Sequence, residues 1–293
     1  MYKQIDSNRR KTWILILLFI GVLAAIGYIY GTLSDLGPFA VVIALAISVG
    51  MTLFSWFAGD KVVLATSGAK EIKTRDENPY VWNMVENLSI TAGIPRPRVY
   101  VIDDPAANAF ATGRNPEKAS VAVTTGILSL LENEELEGVL AHELSHIQNY
   151  DTTVMMIAAA LVGAIVILGD YFFRFGFLGG RSRKSGSPIF MVIGILFLII
   201  SPLVGEVIRL AISWKREFLA DASGALLTRY PEGLARALEK ISTHHRPVAR
   251  VSRATAHLWI ANPFSSKKAS SFFSTHPPVE QRVQELRKMA AAG

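Results

Sequence analysis

His142-Glu143-Leu144-Ser145-His146 reads H-E-x-x-H, the shortest pattern that can hold a zinc ion and a general base together on one helix. Residues i and i+4 of an α-helix lie one above the other, so two imidazoles can converge on one ion while the intervening glutamate points beside it toward a water. Upstream, Glu132, Glu134 and Glu135 suit a first helical turn, and Leu136, Val139, Leu140, Leu144 and Ile147 supply apolar residues at helical spacing. The motif therefore sits well inside a helix. The plainer alternative is a pair of surface histidines on an ordinary one.

Outward from the motif, the chain of 293 residues is 51% apolar, and the apolar residues are gathered into segments. Thr12 to Tyr30 and Pro38 to Ala58 contain no charge and match the length that crosses a bilayer. Val154 to Phe173 carries only Asp170, and Pro188 to Trp214 is apolar until Glu206 and Arg209, so both also qualify by length. The expected organisation is a membrane region over 1–60 and a first catalytic part over 61–153. A hydrophobic hairpin follows over 154–214, then a second catalytic part over 215–293. Lys3, Arg9, Arg10 and Lys11 precede the first span, Gly31 to Gly37 has no Lys or Arg, and Lys61, Lys70, Lys73 and Arg75 follow the second. The positive-inside rule then puts the hydrophilic mass after Gly59 in the cytoplasm, at the cell membrane. Arg174, Arg181, Arg183 and Lys184 run against that rule if the last hairpin crosses fully, so it crosses either twice or not at all.

The absence of cysteine removes disulfides, thiolate nucleophiles and Cys-based metal sites, and is compatible with a reducing compartment. A net charge of +6 in a multi-span chain reads as attraction to anionic lipid. No nucleic-acid motif accompanies it.

Between the apolar segments, Asn78-Pro79 opens a helix that Gly93 ends, and Arg98 to Ile102 alternates as a strand. Asn108 to Thr112 and Ser120 to Thr125, about the turn Gly113 to Lys118, read as a β-hairpin. Helices are expected around Lys215 to Thr228, Pro231 to Thr243 and Val279 to Met289, with an irregular stretch from Arg246 to Ser274.

Two histidines do not complete a catalytic metal site, which takes three protein ligands and leaves a fourth position open. Within Glu217-Phe218-Leu219-Ala220-Asp221, Glu217 and Asp221 share a helical face. Glu217 could reach the metal while Asp221 bonds the far nitrogen of a ligand histidine. Equally, Glu217 could pair with Arg216 or Lys215 on a solvated face.

H-E-L-S-H, then K-R-E-F-L-A-D after a hydrophobic hairpin, then S-T-H-P-P near the C-terminus, with N-A-F-A-T-G before the motif helix, resemble the HtpX family. These are membrane-embedded zinc endopeptidases related to the CAAX prenyl proteases. The resemblance runs over nearly the whole chain. It implies an α+β architecture: a multi-span helical membrane protein with a gluzincin-type zincin domain made of the active-site helix, a small sheet and a Glu helix. It also implies one zinc per chain held by His142, His146 and Glu217, and polypeptide substrates, among them misfolded membrane proteins cleaved on the cytoplasmic side. His276, in the family's His-Pro motif, is implied to face the metal as a catalytic donor. The alternative is a capping position for the last helix.

In that chemistry Glu143 takes a proton from the attacking water and passes it to the leaving amine. An extended substrate is expected to pair with the strand at Asn108, Ala109 and Phe110, unless Phe110 belongs to the core. His244, His245 and His257 read as solvated. The competing classes are a metal-binding membrane sensor or transporter, which would need ionisable residues in mid-membrane, and a non-catalytic scaffold, in which Glu143 would have no use.

Overall fold

The structure, a computed structural model, describes residues 2–33, 35–173, 214–252, 254–264 and 276–292. The first two apolar stretches form long helices, α1 (Tyr2–Leu33) and α2 (Phe39–Thr66). Both run past the uncharged core of each segment: α1 stops only short of Gly37, at φ +51°, and Pro38, and α2 only short of Gly68, at φ +70°. Gly27 lets the two helices approach closely: a Cβ there would meet that of Ala44 at 2.5 Å, the small-residue contact common between membrane helices. Trp13, Leu17, Phe54 and Phe57 point outward, each at least 60% exposed, as side chains that face lipid would.

The catalytic elements come next. Strand β1 (Ala69–Ile72), which the sequence reading missed, is followed by helix α3 (Pro79–Ala92) and strands β2 (Arg98–Ile102), β3 (Ala109–Thr112) and β4 (Ser120–Thr124). Asn78 Oδ1 caps α3 by accepting the Val81 N–H, and Gly93 in the left-handed region closes it. The sheet order is β1-β2-β4-β3, with β2 and β4 parallel and the other pairs antiparallel. The short helix α4 (Thr125–Leu130) then leads into α5 (Asn133–Gln148), which carries the motif. The Glu135 carboxylate accepts the Glu132 N–H at 2.9 Å and receives Lys240 at 2.8 Å, fixing the start of α5. Helices α6 (Asp151–Phe173), α7 (Trp214–Thr228), α8 (Pro231–Thr243) and α9 (Val279–Ala292) complete the described elements.

Strand alternation gives the sheet two buried faces. Val99, Ala109, Val121 and Val123 pack with Leu136, Val139, Leu140 and Leu144 of α5 and with α8. Tyr100, Ile102, Phe110 and Ala122 pack with Leu258 and Trp259. Among the described residues, three helices, Gln4–Leu33, Phe39–Thr66 and Asp151–Asp170, are long and apolar enough to cross a membrane. The fourth expected span and the basic loop before it fall outside the described residues, apart from Trp214. The chain divides into two compact units. One comprises Met1–Asn8, Gly59–Met156 and the described residues from 214 onward; the other comprises Arg9–Ala58 and, of the described residues, 157–173.

Candidate metal centre

Helix α5 buries the whole of its motif: His142 is 1% exposed, Glu143 2% and His146 5%. Helix α7 reaches it because Gly224 has no side chain, and a Cβ there would lie 3.0 Å from the His142 backbone nitrogen. That approach delivers Glu217. His142 Nε2 and His146 Nε2 are 3.1 Å apart, and Glu217 oxygens lie 3.5 Å from His146 Nε2 and 3.8 Å from His142 Nε2. Three ligands at about 2.1 Å from a tetrahedral ion would stand about 3.4 Å from one another. The three donor atoms, all within 4.8 Å of one another, thus fit a single metal ion with little adjustment, and the alternative that Glu217 pairs with Arg216 or Lys215 on a solvated face does not hold.

Each ligand has its own support. Asp221 Oδ1 sits 2.9 Å from His142 Nδ1, and Asp151 Oδ2 sits 3.0 Å from His146 Nδ1. A carboxylate on each Nδ1 fixes the tautomer that leaves Nε2 free to ligate and makes that nitrogen more basic. His276 Nδ1 lies 2.7 Å from Glu217 Oε2, so the histidine of the His-Pro motif reaches the site through the third ligand.

Charge balance in this dry pocket is reflected in the titration of its members. Burial, with Glu217 adding, pushes the Glu143 carboxyl up to about 7, although His146 and a hydrogen bond from the Ala111 backbone pull the other way. Burial lowers His142 to about 4. Burial also opposes charge on His146, but the Asp151 hydrogen bond and the Glu217 charge outweigh it and raise that residue to about 9. Burial alone would raise Glu217 and Asp221. His276 holds the first well below the usual carboxylate range, and Arg282 holds the second near about 2.

Arg282 is the main residue the sequence reading missed. It is 1% exposed and grips Asp221 with Nε at 2.8 Å and Nη2 at 2.6 Å, a two-pronged arginine–carboxylate pair. A signal was present: Val279, Arg282, Val283 and Leu286 form one stripe at helical spacing, and an arginine inside an apolar stripe needs a buried partner. Asp151, at the start of α6, likewise goes unmarked in the sequence and supports His146.

Two expectations are corrected by the structure. The edge of β3 at Asn108, Ala109 and Phe110 is not open to a substrate strand. The Ile260 N–H donates to Ala109 O at 2.9 Å, and Trp259 bridges Phe110 antiparallel. The Ala261 N–H donates to Asn108 Oδ1 at 3.2 Å, and Asn108 Nδ2 donates to Ala261 O at 3.0 Å. Phe110 is fully buried, with its ring 4.7 Å from that of Trp259, so the core reading holds for it. Bare sheet edges are commonly covered, and here the chain covers its own from a stretch whose sequence reads as irregular. The second correction is His257, expected in solvent but 3% exposed, with Nε2 3.0 Å from Met155 O. His244 is exposed and His245 partly so.

A sequence model of peptidase family M48 matches residues 75–290. The chain belongs to peptidase family M48. Among its M48 relatives, the protease HtpX homolog of Dictyoglomus turgidum is 45% identical over 288 residues, covering 98% of this chain and 94% of its own length. That of Tropheryma whipplei (strain Twist) is 42% identical over 289 residues, covering 99% and 98%. In fold, the chain is similar to the crystal structure of S. mikatae Ste24p, with a TM-score of 0.52 at 20% identity, over 98% of this chain and 67% of that one. The M48 chain is therefore a membrane-associated metallopeptidase acting on polypeptides, a zincin fold carried in a membrane protein.

Proposed function

We propose that this metallopeptidase is a zinc endopeptidase, with one zinc per chain held by His142, His146 and Glu217. We infer further that it is a multi-pass protein of the cell membrane whose site faces the cytoplasm, where it cleaves misfolded membrane proteins as part of quality control. In this reading 61–153 and 215–293 are the two catalytic parts, and 1–60 and 154–214 are the membrane parts. The observation that carries it is the convergence of two imidazoles and one carboxylate on a single point with Glu143 beside them. An all-nitrogen and oxygen set of this kind favours zinc with an open fourth position.

Bound zinc supplies Lewis acidity, acidifying a water and polarising the scissile carbonyl. Glu143 accepts the proton of the attacking water and delivers it to the departing amine. A carboxyl raised to about 7 is suited to both steps at neutral pH. Asp221 and Asp151 keep both ligand imidazoles oriented. His276, bonded to Glu217 Oε2, holds that ligand and stands ready to donate toward the developing oxyanion.

The test is cleavage of unfolded casein by the full chain in detergent, with and without chelator, alongside Glu143→Gln. Loss of about 10²- to 10⁴-fold in kcat is expected for the variant, and equal cleavage by variant and parent overturns the mechanism. Because the chain has no cysteine, a single Lys240→Cys reporter reads the orientation. Labelling by an impermeant thiol reagent in intact cells would refute a cytoplasmic site.

A further inference from the structure

Asn8 lies on the first turns of α1, far in sequence from the motif, yet it is 0% exposed and belongs to the same compact unit as the metal centre. Its side-chain amide uses both hydrogens on one target. Nδ2 donates to Asn149 O at 2.8 Å and to Asp151 Oδ1 at 2.7 Å. Those two acceptors flank Tyr150, which has φ +60°, a left-handed conformation that is strained for a bulky residue. The kink at Tyr150 separates α5 from α6 and leaves the Asp151 carboxylate 3.0 Å from His146 Nδ1.

We propose that Asn8 is a positioning residue of the metal centre: it clamps the Asn149–Tyr150–Asp151 turn so that Asp151 holds the His146 imidazole in one tautomer and one orientation. The arrangement of hydrogens supports this over a merely structural contact. An ionised carboxylate only accepts, and its two oxygens are divided here: Oδ2 serves His146, while Oδ1 is met by Asn8 Nδ2 and, at 3.5 Å, by Arg216 Nη1. The Asn8 amide makes the shorter of the two contacts to Oδ1, at 2.7 Å, and so fixes the orientation in which Oδ2 meets His146. Gln4 Nε2 lies 3.5 Å from Asn8 Oδ1, a further contact of this side chain.

The inference rests on the reading of His142, His146 and Glu217 as the metal ligands. Its test therefore reads the metal directly rather than proteolysis alone. The full chain in detergent is stripped of metal, and its dissociation constant for zinc is measured by competition with a chromophoric chelator, for the parent and for Asn8→Ala, Asn8→Ser and Asn8→Asp. Loss of a direct partner of a ligand costs 10- to 100-fold in affinity. One step further out, Asn8→Ala is expected to cost about 3- to 10-fold. Asn8→Ser, which keeps one donor, is expected to cost less. Asn8→Asp, which sets a carboxylate against Asp151 and the Asn149 carbonyl, is expected to cost the most. The thermal midpoint of the metal-free protein separates folding from positioning, and Asn8→Ser supplies the measurement if the alanine variant does not fold. Parent-like zinc affinity in the alanine and aspartate variants overturns the proposal, as does a fall that only tracks metal-free stability. A parent that takes up no zinc overturns the ligand reading itself, and the role of Asn8 with it.

Discussion

The two candidate ligand histidines of the same helix are supported differently. His142 leans on Asp221, which a buried arginine of the last helix grips with two hydrogen bonds; His146 leans on Asp151, which an asparagine near the start of the chain holds at 2.7 Å while Arg216 stands 3.5 Å from the same oxygen. Both carboxylates are buried beside an arginine, because burying either alone would be too costly. On Asp221 the arginine is itself the hydrogen-bonding partner, whereas on Asp151 an amide has that place. The difference predicts that the first support is the more sensitive to loss of charge balance and the second to loss of orientation.

Arg282→Ala breaks the comparison hardest. It leaves Asp221 buried without its cation, with an expected loss of about 3–5 kcal/mol of stability, because truncating one partner of a buried pair strands the other. Chemical denaturation of the metal-free protein checks it, and stability within about 1 kcal/mol of the parent would refute the charge-balance account. Arg282→Lys restores the charge without the two-pronged grip and should recover only part of the loss.

His257 sharpens the contrast between buried groups that are charged and one that is neutral. Burial lowers its pKa to about 4, against 6.5 for the free side chain, while the Met155 carbonyl pulls upward and Arg216 and His276 push further down. A lowered folded-state value means the unfolded chain binds the proton first. The stability that neutral His257 permits is therefore complete above about pH 6.5 and is lost as pH falls from there toward 4, by about 3 kcal/mol in all. His257→Gln should flatten the fall in thermal midpoint between pH 7 and pH 5, and an unchanged slope would remove His257 as its source.

Asp221→Asn and Asp151→Asn put the two supports side by side. Each is expected to weaken zinc binding by about 10- to 100-fold, the first more, since it also takes from Arg282 its nearest counter-charge. Equal losses would mean that orientation alone matters on both sides. The smallest expected effect is that of Ile260→Pro, which deletes the N–H donated to Ala109 O and should cost about 1–2 kcal/mol without changing zinc affinity. An increase in casein cleavage instead would show the 258–261 segment to be in the way of substrate.

How far the chain could be read depended on whether a signal is local. Helix α3, strand β2 and the β3–β4 hairpin follow from capping, proline and alternation, which neighbours in sequence control, and they stand where those signals put them. Strand β1 was missed because four residues, Ala69–Ile72, carry too little pattern. The run from Trp259 to Ala261 carried no pairing signal, since only the unfilled edge of β3 gives it hydrogen-bonding partners.

By itself the sequence determined the motif helix, the apolar segments and the residue types of the metal centre, because helical period, span length and ligand chemistry are each written in short stretches. Tertiary structure alone decided which carboxylate serves which histidine, that Arg282 and Asn8 stand behind those carboxylates, and that the chain covers its own sheet edge. Those pairings join residues as many as 153 positions apart. No local pattern encodes them; they arise only when packing removes water from both partners and leaves each the other's available hydrogen-bonding group.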